Sequence, residues 1–494
     1  MPLSRRTLLA SGAATGAGAL LATGLEAPSA AAAALPAPKD AAKLFPRLES
    51  APGDLLALPR GFSARVVAAL GKTEVHDGTG KVVGGTPERP DGTLAVASGR
   101  GLRIIQNHEA GPGSEAPVPF VDGTVYDRGA LGGGCTVIET DSRGRRRSEW
   151  VGLSGTVSNC AGGPTPWGSW LTCEETEAKA GTGGLEQDHG YVFEVFADLP
   201  SAQTPKPIKA WGRAPHEAVV IEPGRRRVYL TEDASSPTGL IYRWSAPTGY
   251  VLRPHIADQL GEREGRLDAL AVIAPDGGVL PDLAYVTGAQ IGRPFRTTWV
   301  TVPDRQARDT SLRSQFAAGT VTHSKKLEGA WGDRNGMYFV SSFAYSVGDL
   351  PADATPHDGQ LWYYHYASET LALQAYFPYN PLLHSETTDP ETGLGASRDL
   401  AFDGPDGCHV SPYGSLVLTE DGNTANHLLS WDRDTGAQAI ARNLIVQEQN
   451  SSGINVYSEM TGPCFSPDGL VLFANVQEPG HTFAITGPWR TYLG

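Results

Sequence analysis

Basic residues are in short supply along this 494-residue chain: 40 Lys and Arg stand against 54 Asp and Glu, a net charge of −14. A nucleic-acid binder needs the opposite balance, because it must neutralise phosphates, so that class is excluded. Charged residues of both signs make up only 19%, while Gly numbers 60 and Pro 37. That excludes a coiled coil or helical bundle, which would be rich in Ala, Glu, Lys and Leu. After the first 35 residues no apolar run reaches the 18 residues that a spanning helix needs, so no stable membrane anchor is expected. Cysteine is also scarce. There are five, an odd number, so at least one of Cys135, Cys160, Cys173, Cys408 and Cys464 is unpaired or has another task. Pairing four of them would allow three connectivities, and the spacing does not choose among them.

Aromatic residues are plentiful, with 10 Trp, 16 Tyr and 14 Phe spread along the chain. This is no disordered composition. Many Gly- and Pro-containing turns between short strand-forming runs point to an all-β fold.

The first residues read as an address. Ser4-Arg5-Arg6-Thr7-Leu8-Leu9 is followed by a weakly apolar, Ala- and Gly-rich stretch over residues 10–25. Pro28-Ser29 then leads into five alanines that offer A-x-A cleavage sites. Residues 1–34 are expected to be a twin-arginine signal peptide, with a single domain over residues 35–494 exported folded to the periplasm or the medium.

One unit repeats. A tight turn containing Gly is followed by a strand-forming run that ends on a polar or acidic residue. The copies end on Glu109, Glu174-Glu175, Glu232-Asp233, Ser341-Ser342, Glu420-Asp421 and Asn475 to Gln477. About 14 to 18 residues before each end lies a second ligand-type residue: Asp91, Cys160, Glu217, Glu328, Asp406 and Glu459. Antiparallel pairing brings both to the same end of a hairpin. Six hairpins in constant phase predict a six-bladed β-propeller whose first strands ring the axis. The 110 residues between Glu232 and Ser342 hold a long insertion, or a seventh blade around Asp276-Gly277 and residues 284–287; six blades are preferred. Carboxylates gathered in a funnel repel one another, and bound cations relieve that cost. Oxygen ligands suit calcium, whereas the Cys160 thiolate suits iron, copper or zinc. A disulfide or simple burial of Cys160 fits the spacing equally well.

The segment Asn159-Cys160-Ala161-Gly162-Gly163-Pro164-Thr165-Pro166-Trp167-Gly168-Ser169-Trp170-Leu171-Thr172-Cys173-Glu174-Glu175 closely resembles the signature of the PhoX-type alkaline phosphatases. So do Asn107-His108-Glu109, Gly212-Arg213 with His216-Glu217, and the run from Glu459 to Gly469. The resemblance runs from Phe45 to Gly487 with the pieces in order. It implies an exported six-bladed propeller that hydrolyses small phosphate monoesters at an iron–calcium cluster, Fe(3+) with Ca(2+), through a metal-bound oxide or hydroxide. A monomer is expected, with the twin-arginine export machinery as its other partner. Carried over residue by residue, Cys160 resembles the iron-binding thiolate. Glu217, Glu328 and Glu459 resemble cluster ligands, and Asp406 matches the Asp of a Pro-Asp-Asn motif. Glu109, Glu174 and Glu175 are expected at or beside calcium, and Glu232 is a further candidate metal ligand. Lys326, Arg213 and Asn107 are the candidates to orient the phosphate.

Three motifs depart from the family. Arg-Pro-Glu is here Lys326-Leu327-Glu328, Pro-Asp-Asn is Pro405-Asp406-Gly407, and Gln-His-Pro-Gly is Gln477-Glu478-Pro479-Gly480. Lys can contact phosphate but cannot fork onto it bidentately. Two other functions fit the same residues: a calcium-dependent propeller hydrolase of another ester, such as a lactone or phytate, and a propeller whose metals only staple the blades while its face binds a partner.

Overall fold

The computed structural model describes residues 44–344, 358–379, 402–422, 425–449 and 455–494. The expected leader at residues 1–34 lies outside the described residues, and so does most of 378–398, a stretch whose Asn380-Pro381, Asp389-Pro390 and Thr392-Gly393 steps read as a loop. The described chain is all-β and propeller-like. Its helical segments are single turns or little more. Among the described residues no helix is long and apolar enough to cross a membrane.

Each repeated unit folds as an antiparallel hairpin. The first strands are Pro90–Ser98, Asn159–Pro164, His216–Ile221, Leu327–Gly332, Pro405–Val410 and Met460–Phe465. Each pairs with the strand that follows its turn. Successive first strands lie against one another, and Met460–Phe465 lies against Pro90–Ser98, so the set closes around an axis.

Four sheets radiate separately from this centre. They start on Pro90–Ser98, Asn159–Pro164, Pro405–Val410 and Met460–Phe465. The fifth sheet has nine strands, begins at His216–Ile221 and ends at Leu327–Gly332. These two edge strands sit side by side, so the sheet nearly closes into a barrel. The long insertion supplies the join. Strands Arg266–Val272 and Pro294–Thr301 continue from one hairpin, and Pro294–Thr301 pairs with Thr370–Phe377 of the other. Asp276-Gly277 is only a turn there, and Leu283–Tyr285 is a single 3-10 turn, so neither forms a blade of its own.

The core lies between sheets. Strand Val471–Val476 is buried at every position, because a middle strand has a neighbouring sheet against each face. Leu94, Ile104, Val137, Phe193 and Phe473 share one apolar cluster drawn from three sheets. Val219, Trp211, Trp244 and Leu171 share another. Each fully buried side chain of this size contributes about 1.5–3 kcal/mol relative to exposure. The two glycines of the Asn159–Glu175 segment serve this packing. A Cβ on Gly163 would stand 1.7 Å from the Val219 carbonyl oxygen, and one on Gly162 would stand 2.0 Å from that of Leu171. Glycine lets the adjacent first strand approach Gly163 so closely, and the returning strand of its own hairpin approach Gly162.

The N-terminal strands close the ring. Ser63–Ala69 is the fourth strand of the sheet that begins at Met460–Phe465, pairing with His481–Thr486. Leu56–Pro59 adds to the sheet that begins at Pro405–Val410.

Candidate metal centre

The same device presents a ligand in five of the six hairpins. The first strand opens with one paired residue, then bulges, then regains register two residues later on its partner. The bulges run Asp91-Gly92, Cys160-Ala161, Glu217-Ala218, Glu328-Gly329 and Asp406-Gly407. A bulge re-aims its side chain, here toward the axis. The second bulge residue is always Gly or Ala, because the neighbouring strand crosses there: a Cβ on Gly92 would meet the Cys160 carbonyl oxygen at 2.8 Å, and one on Gly329 would meet the Cys408 amide nitrogen at 2.8 Å.

The sixth hairpin departs from this pattern. Its bulge begins one step later, at Gly462-Pro463, and carries no ligand. Glu459 instead comes from the residue before the strand, where the other hairpins have Arg89, Ser158, Pro215, Lys326 and Gly404.

The returning strands supply the second tier, and strand alternation decides which acid of each pair faces the axis. Glu109, Glu175, Asp233, Ser342 and Asp421 each follow the last paired residue. The backbone N–H of each donates to the carbonyl just ahead of its first strand, at Arg89, Ser158, Pro215, Lys326 and Gly404.

The preceding acids turn the other way and latch the third strands. Glu174 accepts from the N–H groups of Val157, Gly190 and Tyr191 and pairs with His189 at 2.6 Å. Glu232 accepts from Leu240 N–H, Tyr242 O–H and Arg313, the last at 2.9 Å. Glu420 accepts from the N–H groups of Asp403 and His427 and from the His427 ring. The expectation for Glu174 and Glu232 is therefore corrected: their carboxylates are consumed inside the sheets and do not join the ring.

Two other expected residues are also placed elsewhere. Arg213 is buried, and its guanidinium donates to the carbonyls of Gln306, Glu177 and Ala307. It has no free face for a phosphate. Asn107 is fully buried as a backbone pivot. Its amide nitrogen donates to the Cys160 and Ala161 carbonyls at 2.6 and 2.7 Å, and its oxygen accepts from Trp170 Nε1 at 2.9 Å. It positions the Cys160 bulge rather than a substrate.

The remaining acids converge. One ligand atom from each of Cys160, Glu175 and Glu217 lies within 4.8 Å of the others, and the same holds for Glu217, Glu328 and Asp406. Glu217 belongs to both groups. Burial, and then Glu328, Glu175 and Asp406, push its carboxyl well above the usual range. Burial and the neighbouring acids do the same to Asp91, Glu175, Asp406 and Glu459. Asp233 rises to about 6 for the same reasons. The Cys160 thiol is raised by burial, then by Glu217 and Glu175.

Nine carboxylates thus face one another: Asp91, Glu109, Glu175, Glu217, Asp233, Glu328, Asp406, Asp421 and Glu459. Among the described residues two cations reach them within hydrogen-bond distance. Lys326 Nζ lies 2.8 Å from both Asp233 and Glu328, and Arg89 lies 2.6 Å from Glu109. Two positive charges cannot compensate nine negative ones in a partly desolvated funnel. The donor set fits multivalent cations, with hard carboxylate oxygens throughout and one soft thiolate in a corner.

Over residues 43–480 the sequence matches the family described as alkaline phosphatase PhoX. The chain belongs to that PhoX family. Pseudomonas fluorescens PhoX, solved in complex with vanadate as a transition-state analogue, shares the fold at a TM-score of 0.60 and 17% identity, covering 90% of this chain and 98% of that one. A putative gluconolactonase (TM-score 0.36) and the PQQ domain of a Coprinopsis cinerea pyranose dehydrogenase (TM-score 0.35) are each 10% identical, over 90% of this chain and 97% and 98% of theirs. No protein of curated function matches the sequence. The PhoX signature around Cys160 now has a structural reading: Cys160 occupies the bulge, Gly162 lies against the returning strand, Gly163 allows the next first strand to cross, and Glu175 ends the hairpin on the axis.

Arg89, Asp233 and Asp421 were not singled out from sequence. The doublets Glu232-Asp233 and Glu420-Asp421 carried the signal for two of them. In a strand only one of two adjacent side chains can face the axis, and Glu175 shows that it is the second.

Proposed function

We propose that this PhoX-family phosphatase is a six-bladed propeller, counting the nine-stranded sheet as two blades joined at their outer strands, and that its ring of carboxylates and Cys160 holds an iron–calcium cluster that hydrolyses small phosphate monoesters. The observation that carries this reading is the excess of nine convergent carboxylates over two cations.

Cys160, Glu175 and Glu217 would hold the thiolate-bound iron, and Glu217, Glu328 and Asp406 would share a second cation beside it. When bound, such cations neutralise charge on the phosphoryl oxygens and activate water without a protein nucleophile. The chain's own residues do the positioning. Ser342 Oγ donates to Glu328 Oε1 at 3.0 Å and fixes that carboxylate. Gln477 Nε2, from the neighbouring hairpin, donates to Glu109 at 2.8 Å and to Asp91 at 3.3 Å, aligning the two acids of one hairpin. Asn107 clamps the backbone under Cys160. Residues 1–34 would direct twin-arginine export, leaving residues 35–494 as one periplasmic or extracellular domain.

Elemental analysis, an absorption spectrum and a phosphate-ester panel test the proposal. The purified protein should contain iron and calcium, be coloured, and turn over phosphate monoesters. Cys160→Ser should lose iron, colour and most of the activity. Colourless wild-type protein with full activity would remove iron from the proposal, and activity that survives calcium chelation would remove calcium. Turnover of lactones but not of phosphate esters would move the chain to another ester class.

A further inference from the structure

The two cations of the ring occupy equivalent backbone positions in different hairpins. Arg89 and Lys326 each sit immediately before the first strand, each in the left-handed region, at φ 50° and 55°. The carbonyl of each accepts the N–H of the axial residue on the returning strand, Glu109 for Arg89 and Ser342 for Lys326, both at 2.9 Å. Ser158 and Gly404 hold the same conformation at the equivalent place, at φ 50° and 56°, so it belongs to the hairpin entry and not to the cations. The two hairpins stand three places apart in the sequence of first strands around the axis.

The two side chains differ in what they can still do. Lys326 Nζ is a point charge already shared between Asp233 and Glu328, both buried. Arg89, as exposed as Lys326, bridges Glu109 at 2.6 Å and Glu478 at 3.1 Å, themselves partly exposed, while its Nε is buried without a partner. The pair with Glu478 is the more exposed of the two, and such a pair is weak and exchanges readily for a stronger anion. A guanidinium forks onto two oxygens of a phosphate, whereas an ammonium cannot. Through Glu109 Arg89 also adjoins the ligand cluster, because Gln477 Nε2 donates both to Glu109 and to Asp91.

We propose that Arg89 is the residue that clamps the substrate phosphate at the mouth of the ring, and that Lys326 acts as a fixed counter-ion holding Asp233 and Glu328 in place. This rests on the phosphatase reading above. The ligand chemistry is a phosphate monoester dianion, released as inorganic phosphate.

The test uses the metal-loaded full chain with inorganic phosphate as the probe. Binding is read by calorimetry, and KM and kcat are read on a simple aryl phosphate. Arg89→Ala should weaken phosphate binding and raise KM by about tenfold or more, with kcat less affected and iron and calcium content unchanged. Arg89→Lys should recover only part of the binding, because the charge returns without the fork. Lys326→Ala should lower metal content instead. Unchanged phosphate binding in Arg89→Ala would overturn the proposal, as would metal loss in Arg89→Lys. Wild-type protein that neither binds phosphate nor hydrolyses the aryl phosphate would instead overturn the phosphatase reading beneath it.

Discussion

At the residue scale, neighbouring acids with the same chemistry have opposite tasks. Glu232 and Asp233 are adjacent, yet one latches Arg313 and Tyr242 inside a sheet and the other faces the axis beside Lys326. Burial pushes Glu232 up to about 7 even with Arg313 beside it, so the pair is kept by geometry. Removing one partner of such a buried pair strands the other charge. Glu232→Ala should therefore cost about 3–5 kcal/mol of stability, read from denaturant unfolding of the metal-free chain. Asp233→Asn should leave that stability nearly unchanged or raise it, and should lower the number of cations bound per chain in elemental analysis. The reverse pattern would place Glu232, not Asp233, at the centre. The Glu-Asp doublet was legible in the sequence, but the facing of its two side chains was not, because it depends on where the bulge resets the strand register.

At the element scale, the six hairpins and their turns were readable from spacing, since each tight turn and apolar run is local. The bulges were less so. The pattern of a ligand followed by Gly or Ala, as in Asp91-Gly92 or Glu328-Gly329, is visible once its cause is known: the second residue lies under a crossing strand from the next sheet. The grouping of Glu459 with the bulge ligands shows the limit. Its spacing matches theirs, yet the bulge of its strand begins at Gly462, and Glu459 enters from the preceding position. Gly163 offers a test of strand crossing. Gly163→Ala would drive a methyl into the Val219 carbonyl and should destabilise the chain by about 1–3 kcal/mol or more, seen as a lower Tm. An unchanged Tm would mean that the two first strands are farther apart than described here.

At the scale of the whole molecule, ring closure and charge dominate. Leu56–Pro59 and Ser63–Ala69 complete sheets built from the end of the chain. A chain that begins at residue 70 should lose the cooperative melting transition, because it leaves the edge of His481–Thr486 unpaired. A full-strength transition in that truncated chain would show that closure lies elsewhere.

The acid ring has a pH signature in the metal-free protein. Asp233 holds its proton to about 6 in the folded chain, against an ordinary value near 4 when unfolded. Through that window the unfolded state has already lost the proton and the folded state has not, so stability falls as pH rises. Asp91, Glu175, Glu217, Asp406 and Glu459, raised in the same direction, carry the loss to higher pH. The Tm of chelated protein should therefore drop as pH rises from about 4 through about 6 and go on falling above that, and calcium should reverse the slope. A chelated Tm that rises with pH would mean that the ring acids are compensated without metal.

The sequence by itself determined the strand class, the hairpin repeat, the family signature around Cys160 and the surplus of acid. These rest on local pattern: turn residues, β-rich runs, and acids at constant phase. Only the tertiary structure decided which acids meet, that Glu174 and Glu232 serve the sheets, that Arg213 and Asn107 hold backbone, and that Arg89 joins Lys326 at the ring. Those assignments depend on strands far apart in the chain, brought together by bulges and crossings whose register no single hairpin encodes.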